Sequence, residues 1–96
     1  VMVLVVEDED DLREALSRGL TSEGFVVQTA ANGTDGLWMA QELDPAVVVL
    51  DIMLPGLSGY EVCRRLRQGG SRVPILMLTA KNGEYDEADA LDLGAD

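Results

Sequence analysis

Histidine is absent from the chain, and this removes a large share of enzyme chemistry. Nucleophile pairs of the Ser-His and Cys-His kind are excluded. So is any metal site built on imidazole. A lone cysteine, Cys63, cannot form an internal disulfide, which fits a reducing compartment and points to a cytoplasmic protein. Aromatic residues make up only 4% of the chain, so the core must be aliphatic. Bases are scarce: seven stand against eighteen acids, for a formal net charge of -11. A surface this acidic repels nucleic acid and anionic lipid, and it attracts cations and basic protein surfaces. No apolar run is long enough to cross a bilayer, and the opening residues do not read as a signal peptide. The opening Val1 to Val6 is apolar but far too short, and it lacks a basic flank. Linkers, low-complexity tracts and internal repeats are missing as well.

What is present is a pattern of alternation in 96 residues, a length that suits one domain with one core. Four short runs rich in β-branched residues read as strands: Met2-Val3-Leu4-Val5-Val6, Val26-Val27-Gln28-Thr29, Val47-Val48-Val49-Leu50 and Ile75-Leu76-Met77-Leu78. Three of them lack polar alternation, as parallel strands covered on both faces do. The Val26 run is more polar and suits an edge. Between them lie stretches of helical period over residues 11–20, 34–43, 59–67 and 84–93. The first places Leu12, Ala15, Leu16 and Leu20 on one face, with Asp10 or Asp11 as its cap. The second follows an Asn32-Gly33 turn and turns Leu37 and Ala40 inward. The third offers Val62, Cys63 and Leu66 and stops at Gly69-Gly70. The order predicts an α/β fold: a doubly wound parallel sheet with right-handed crossovers.

Sheets of this kind bind ligands at the carboxyl ends of their strands. Glu7 and Asp8 follow the first run, Asp51 the third and Thr79 the fourth. If those strands are neighbours, the four residues converge on one rim. Clustered carboxylates are costly unless a cation or a proton neutralises them. An all-oxygen donor set suits Mg²⁺, and a carboxylate beside Mg²⁺ is a reasonable phosphoryl acceptor. A single acid after a strand is more often a solvated loop residue or a helix cap. Asp8 and Asp51 together, each closing an apolar strand, are harder to dismiss. Trp38 reads as packing or a partly exposed surface aromatic rather than a stacking platform, and Cys63 as a buried small hydrophobe. Arg64, Arg65 and Arg67 read as a solvated basic face, too short for a nucleic-acid footprint.

Three segments carry a family resemblance. Val3-Leu4-Val5-Val6-Glu7-Asp8-Glu9, Leu50-Asp51-Ile52-Met53-Leu54-Pro55-Gly56 with Gly59, and Leu78-Thr79-Ala80 resemble the motifs of response-regulator receiver domains. The closing Leu93-Gly94-Ala95-Asp96 is similar to the segment before that family's last strand. The Met-Leu-Pro-Gly run and Gly36-Leu37-Trp38 resemble its OmpR/PhoB-type subgroup. The resemblance spans the chain in the right order. It implies a flavodoxin-like strand order 2-1-3-4-(5). It also implies that Asp51 is the phospho-acceptor, that Glu7 and Asp8 hold Mg²⁺, and that the Met53 backbone carbonyl completes the metal site. Thr79 then bonds the phosphoryl oxygen and acts in switching, and Ala80 keeps room beside it. Pro55 and Gly56 shape the turn over the pocket, and Gly59 lets the next helix approach. The implied partners are a sensor histidine kinase and, in the activated full-length protein, a second copy as a homodimer. Direct nucleic-acid or membrane binding by this domain is not expected.

The family also has a lysine followed by proline after a fifth strand, and an aromatic that pairs with the switch threonine. The sequence stops before these. Residues 1–96 are therefore read as one receiver domain that is C-terminally incomplete, with the last strand and helix absent. Lys81 directly follows the Thr-Ala pair and is not expected to substitute. With the fifth strand missing, the Ile75 run is expected to form an open edge that leaves an isolated chain marginal or pairs with a second molecule. The leading function is then a phosphorylatable signalling domain rather than an enzyme, one that switches an output such as transcription. The alternative is a Mg²⁺-dependent phosphatase-like hydrolase with an aspartyl-phosphate intermediate. That class usually has a second aspartate two residues after its nucleophile, where this chain has Met53. A docking module without chemistry is a third reading, opposed by the intact Glu7, Asp8, Asp51 and Thr79 set.

Overall fold

The computed structural model of the chain describes residues 1–78. In chain order the elements are β1 (Met2–Val6), α1 (Asp10–Ser22), β2 (Val26–Ala30), α2 (Gly33–Leu43), β3 (Val47–Asp51), α3 (Gly59–Gln68) and β4 (Ile75–Leu78). The four strands form one parallel sheet in the order β2-β1-β3-β4. This is the order expected for these strands, and the more polar β2 does lie at an edge. The predicted helix over residues 84–93 and the positions Thr79, Ala80 and Lys81 lie outside the described residues.

The two faces of the sheet follow from the period of two in a strand. Leu4, Val6, Val48, Leu50 and Ile75 point to one side, where Val62, Cys63 and Leu66 of α3 and Ala40 of α2 meet them. Val3, Val5 and Val49 point to the other, under Leu16 and Leu20 of α1. β1 and the middle of β3 are therefore covered on both faces, which explains their unbroken Val/Leu sequence. Each such aliphatic side chain contributes about 1.5–3 kcal/mol by leaving water.

Several expectations need correction. Asp10 and Asp11 do not cap α1; they occupy its first turn, and Glu9 holds the cap position, its side chain making no capping bond to the helix. Their carboxylates still face the positive end of the helix dipole. Ala15 is exposed, so α1 packs on the sheet through Leu16 and Leu20, which, like Leu12, are only half-buried. β4 is not covered on both faces by the described residues. Ile75 is buried, but Leu76 is 56% exposed, since α1 lies over β1 and β2 rather than over β4.

The other two helices start at side-chain caps. Asn32 Oδ1 accepts from the Asp35 amide at 2.8 Å, which makes Gly33 the first helical residue of α2 rather than part of a turn. Ser58 Oγ accepts from the Glu61 amide at 3.2 Å. α3 ends where expected, with Gly70 at φ 90, a conformation that suits glycine. The arginines of α3 divide in two. Arg64 and Arg65 are exposed and both pair with Glu61. Arg67 departs from the expected solvated face: it is half-buried and donates to the carbonyls of Ser71 and Val73 at 3.1 and 2.7 Å. It thereby ties the end of α3 to the chain entering β4.

One contact joins the helical layer to the future site. The Gly59 amide donates to the Ile52 carbonyl at 2.9 Å. A Cβ on Gly59 would lie 2.2 Å from the Asp51 carbonyl oxygen and 2.8 Å from Ile52 Cα. Both are backbone atoms and cannot step aside. Gly59→Ala should therefore destabilise the domain by about 1–3 kcal/mol in urea unfolding. Gly19→Ala, on the open side of α1 with nothing within 4 Å, should stabilise it by about 0.5–1 kcal/mol. Equal effects of the two substitutions would contradict this account of the α3 approach.

Candidate acidic metal and phospho-acceptor site

The parallel sheet brings the ends of β1 and β3 side by side, with Val6 opposite Leu50. Glu7 follows β1 directly, and its amide donates to the Ala30 carbonyl at 3.0 Å, which carries the pairing with β2 one residue further. Its side chain is 2% exposed, the one buried charged residue of the described core. Asp8 is exposed, and Asp51, the last residue of β3, is half-buried. One carboxylate oxygen from each of Glu7, Asp8 and Asp51 lies within 4.8 Å of the others. Three of the predicted site residues are thus brought together. Thr79 lies outside the described residues, and β4 ends one residue earlier, at Leu78 opposite Asp51.

Short local bonds hold the pocket. The Glu9 amide donates to Glu7 Oε2 at 2.9 Å. The Met53 amide donates to Asp51 Oδ1 at 3.2 Å, which limits rotation of that carboxylate. Met53 itself is 50% exposed, so its side chain packs on little and its place near the site comes from its backbone. Gly56, at φ 77, turns the loop between β3 and α3, and Gly59 brings the helix back against the Asp51 backbone. One residue here escaped the reading of the sequence. Arg13 of α1 reaches back to donate to the Glu7 carbonyl at 3.0 Å and pairs with Asp10 at 2.6 Å. A single base after five consecutive acids was the available signal.

Electrostatics set the state of the pocket. Burial pushes the Glu7 carboxyl up to about 7, and the neighbouring Asp8 and Asp51 carboxylates add to the rise, against the Glu9 amide. A hard cation relieves both costs, because it replaces lost hydration and neutralises like charges. Three carboxylates from two strand ends, with no sulfur or nitrogen donor in the cluster among the described residues, fit Mg²⁺.

A parallel α/β sheet with clustered acids at the carboxyl ends of its central strands is the architecture of receiver-type signalling domains. The chain belongs to the response regulator receiver domain family, whose model matches residues 3–96. It is 48% identical over 94 residues to the transcriptional regulatory protein AfsQ1 of Streptomyces coelicolor, a match covering 98% of this chain and 41% of that protein. It is 47% identical to the alkaline phosphatase synthesis transcriptional regulatory protein PhoP of Bacillus subtilis, over 98% of this chain and 39% of that one. These relatives bear out the resemblance to OmpR/PhoB-type regulators. The chain spans about two fifths of the length of these two relatives. Among solved structures it is similar to the response regulator TrrA of Thermotoga maritima in complex with Mg²⁺-BeF. The TM-score is 0.87 and the identity 35%, over 99% of this chain and 81% of that one. Chemotaxis protein CheY4 of Vibrio cholerae matches with a TM-score of 0.89 and 31% identity, over 99% and 81%.

The buried glutamate makes stability depend on pH. The native state holds the Glu7 proton up to about pH 7, whereas the unfolded chain loses it near 4.5. Between those values the native state binds more protons, so stability falls as pH rises. The contribution is fully present below pH 4.5 and lost above about 7. Glu7→Gln, which cannot ionise, should gain stability relative to wild type across this window, by of the order of 2–3 kcal/mol. Added Mg²⁺ should narrow the gap by stabilising the wild type. Thermal unfolding of both proteins from pH 4.5 to 7.5 provides the check, and parallel curves would refute the assignment.

Proposed function

We propose that residues 1–96 act as the phosphorylatable receiver domain of a response regulator, with Asp51 as the acceptor. The observation that carries this reading is the meeting of the Glu7, Asp8 and Asp51 carboxylates at the carboxyl rim of a parallel sheet. In the reaction an Asp51 carboxylate oxygen forms a bond to phosphorus. The P–N bond of a phosphohistidine on a sensor histidine kinase breaks, and its electron pair leaves with the imidazole. Asp51 suits this role because it is half-buried: open enough to meet a donor, and held by the Met53 amide. Glu7, Asp8, Asp51 and the Met53 backbone carbonyl would hold Mg²⁺, which supplies neutralisation of the phosphoryl charge. Thr79 donates a hydrogen bond to the phosphoryl oxygen after transfer and passes the change onward. Positioning and charge compensation account for such transfer without a histidine base. The domain thus promotes its own phosphorylation and dephosphorylation without being a conventional enzyme.

The output is transcriptional, through a DNA-binding domain outside this chain, and the activated full-length protein is a cytoplasmic homodimer. The transcriptional output is supported by relatives named as transcriptional regulatory proteins. The domain itself does not bind nucleic acid, in keeping with its net charge of -11. Membrane association is not part of this function; among the described residues no helix is long and apolar enough to cross a bilayer. Membership of the receiver family weighs against the phosphatase-like alternative, as does Met53 where that class usually has its second aspartate.

Two experiments on the full-length protein test the proposal. A small phosphodonor with Mg²⁺ should label one site stoichiometrically, and Asp51→Asn should abolish the label. Labelling that persists and maps elsewhere by mass spectrometry would remove Asp51 from the role, while turnover of a phosphomonoester would favour the hydrolase. Asp8→Ala should weaken Mg²⁺ binding roughly 10-fold or more while the fold persists. An unchanged Mg²⁺ titration in that variant would place the cation elsewhere.

A further inference from the structure

Arg13 stands where a cation gains little from its own helix. It is the fourth residue of α1, and the amino end of a helix carries partial positive charge. Helical side chains lean towards the amino end, and Arg13 uses that direction to reach the turn leaving β1. Its guanidinium donates to the Glu7 carbonyl at 3.0 Å through Nη1 and meets Asp10 Oδ1 at 2.6 Å through Nη2. The Arg13 side chain is 22% exposed, whereas that of Asp10 is 85% exposed. A pair with so exposed a carboxylate contributes little by itself. The shielded bond to the Glu7 carbonyl is the stronger anchor, and Asp10 serves to aim the guanidinium. The Glu9 amide holds the same turn by donating to Glu7 Oε2. Asp8 lies inside this double clasp, with its carboxylate facing those of Glu7 and Asp51.

We propose that Arg13 is a positioning residue for the cation site: by clasping the Glu7 carbonyl it fixes the strand-to-helix turn that carries Glu7 and Asp8, and so sets the affinity for Mg²⁺. The inference rests on the reading of Glu7, Asp8 and Asp51 as the cation site. It has a sign that plain electrostatics does not share. Arg13 is a positive charge near a cation pocket, so its removal would tighten Mg²⁺ binding if charge alone mattered. Loss of the clasp instead lets the carboxylates drift apart and weakens binding.

Calorimetric titration of the full-length protein with MgCl₂ separates the two, with folding followed by circular dichroism. Arg13→Ala should raise the Mg²⁺ dissociation constant about tenfold, the scale at which groups behind metal ligands act. Arg18→Ala is the charge control: it removes the same charge from the same helix at an exposed ion pair with Glu14. It should leave the constant unchanged or slightly lower. Arg13→Lys keeps the charge and one donor on a long stem, and should fall between wild type and Arg13→Ala. If Arg13→Ala does not fold, Arg13→Lys decides, and a constant equal to wild type overturns the proposal. A constant in Arg13→Ala equal to or below that of Arg18→Ala, with or without a loss of thermal stability, overturns it as well. Asp8→Ala in the same series keeps the premises apart. If wild type binds Mg²⁺ and Asp8→Ala does not, the site stands, and any failure belongs to Arg13 alone.

Discussion

A parallel sheet buried on both faces leaves its strand ends as the place where charged side chains can gather, and the structure depends on that constraint. β1 and β3 give both faces to aliphatic packing, with Val3 and Val5 against α1 and Leu4 and Val6 against α2 and α3. Since the strands run the same way, their carboxyl ends share one rim, and Glu7, Asp8 and Asp51 have nowhere else to be. The core that stabilises the domain is therefore also what forces three like charges together.

The resulting tension is local and polar. Glu7 is almost without exposure, and its carboxyl is pushed up to about 7 by burial and by its acidic neighbours. A pocket of this kind lies close to its balance point near neutral pH. Two backbone amides, those of Glu9 and Met53, and one arginine hold the arrangement without cancelling its charge. Such an arrangement suits the proposed role of accepting a cation and then a phosphoryl group. The glycines belong to the same design. Gly59 admits α3 to the Asp51 backbone, and Gly33 at the start of α2 lies where a Cβ would strike the Leu57 carbonyl at 2.0 Å. The loop between β3 and α3 is thus pressed from both sides by helix starts that tolerate no side chain.

Much of the fold was legible in the order of residues. Unbroken Val/Leu runs marked β1 and β3, and the polar β2 announced itself as an edge. Asp8 and Asp51 stood out because each follows an apolar strand in a chain without histidine. Other features were hidden for physical reasons. Ala15 has the helical spacing of a core residue, but the face that α1 turns to the sheet is carried by Leu16 and Leu20, and Ala15 is left exposed. Leu76 alternates correctly within β4 yet remains open to solvent on the α1 side, because burial depends on what lies above a strand and not on the strand's own pattern. Arg67 belonged to a basic cluster in sequence but turns to backbone carbonyls in space.

By itself the sequence determined the alternation of strands and helices, the aliphatic character of the core and the candidate acids of the site. These are properties of local period and residue chemistry, and they survive in any arrangement that buries the same runs. Tertiary structure decided which acid is buried and which exposed, that one oxygen from each of three carboxylates comes within 4.8 Å of the others, and that Arg13 closes the turn beneath them. Those facts depend on distances between residues far apart in the chain. A carboxylate's proton affinity and a guanidinium's partner are set by neighbours in space, and only the packed sheet supplies them.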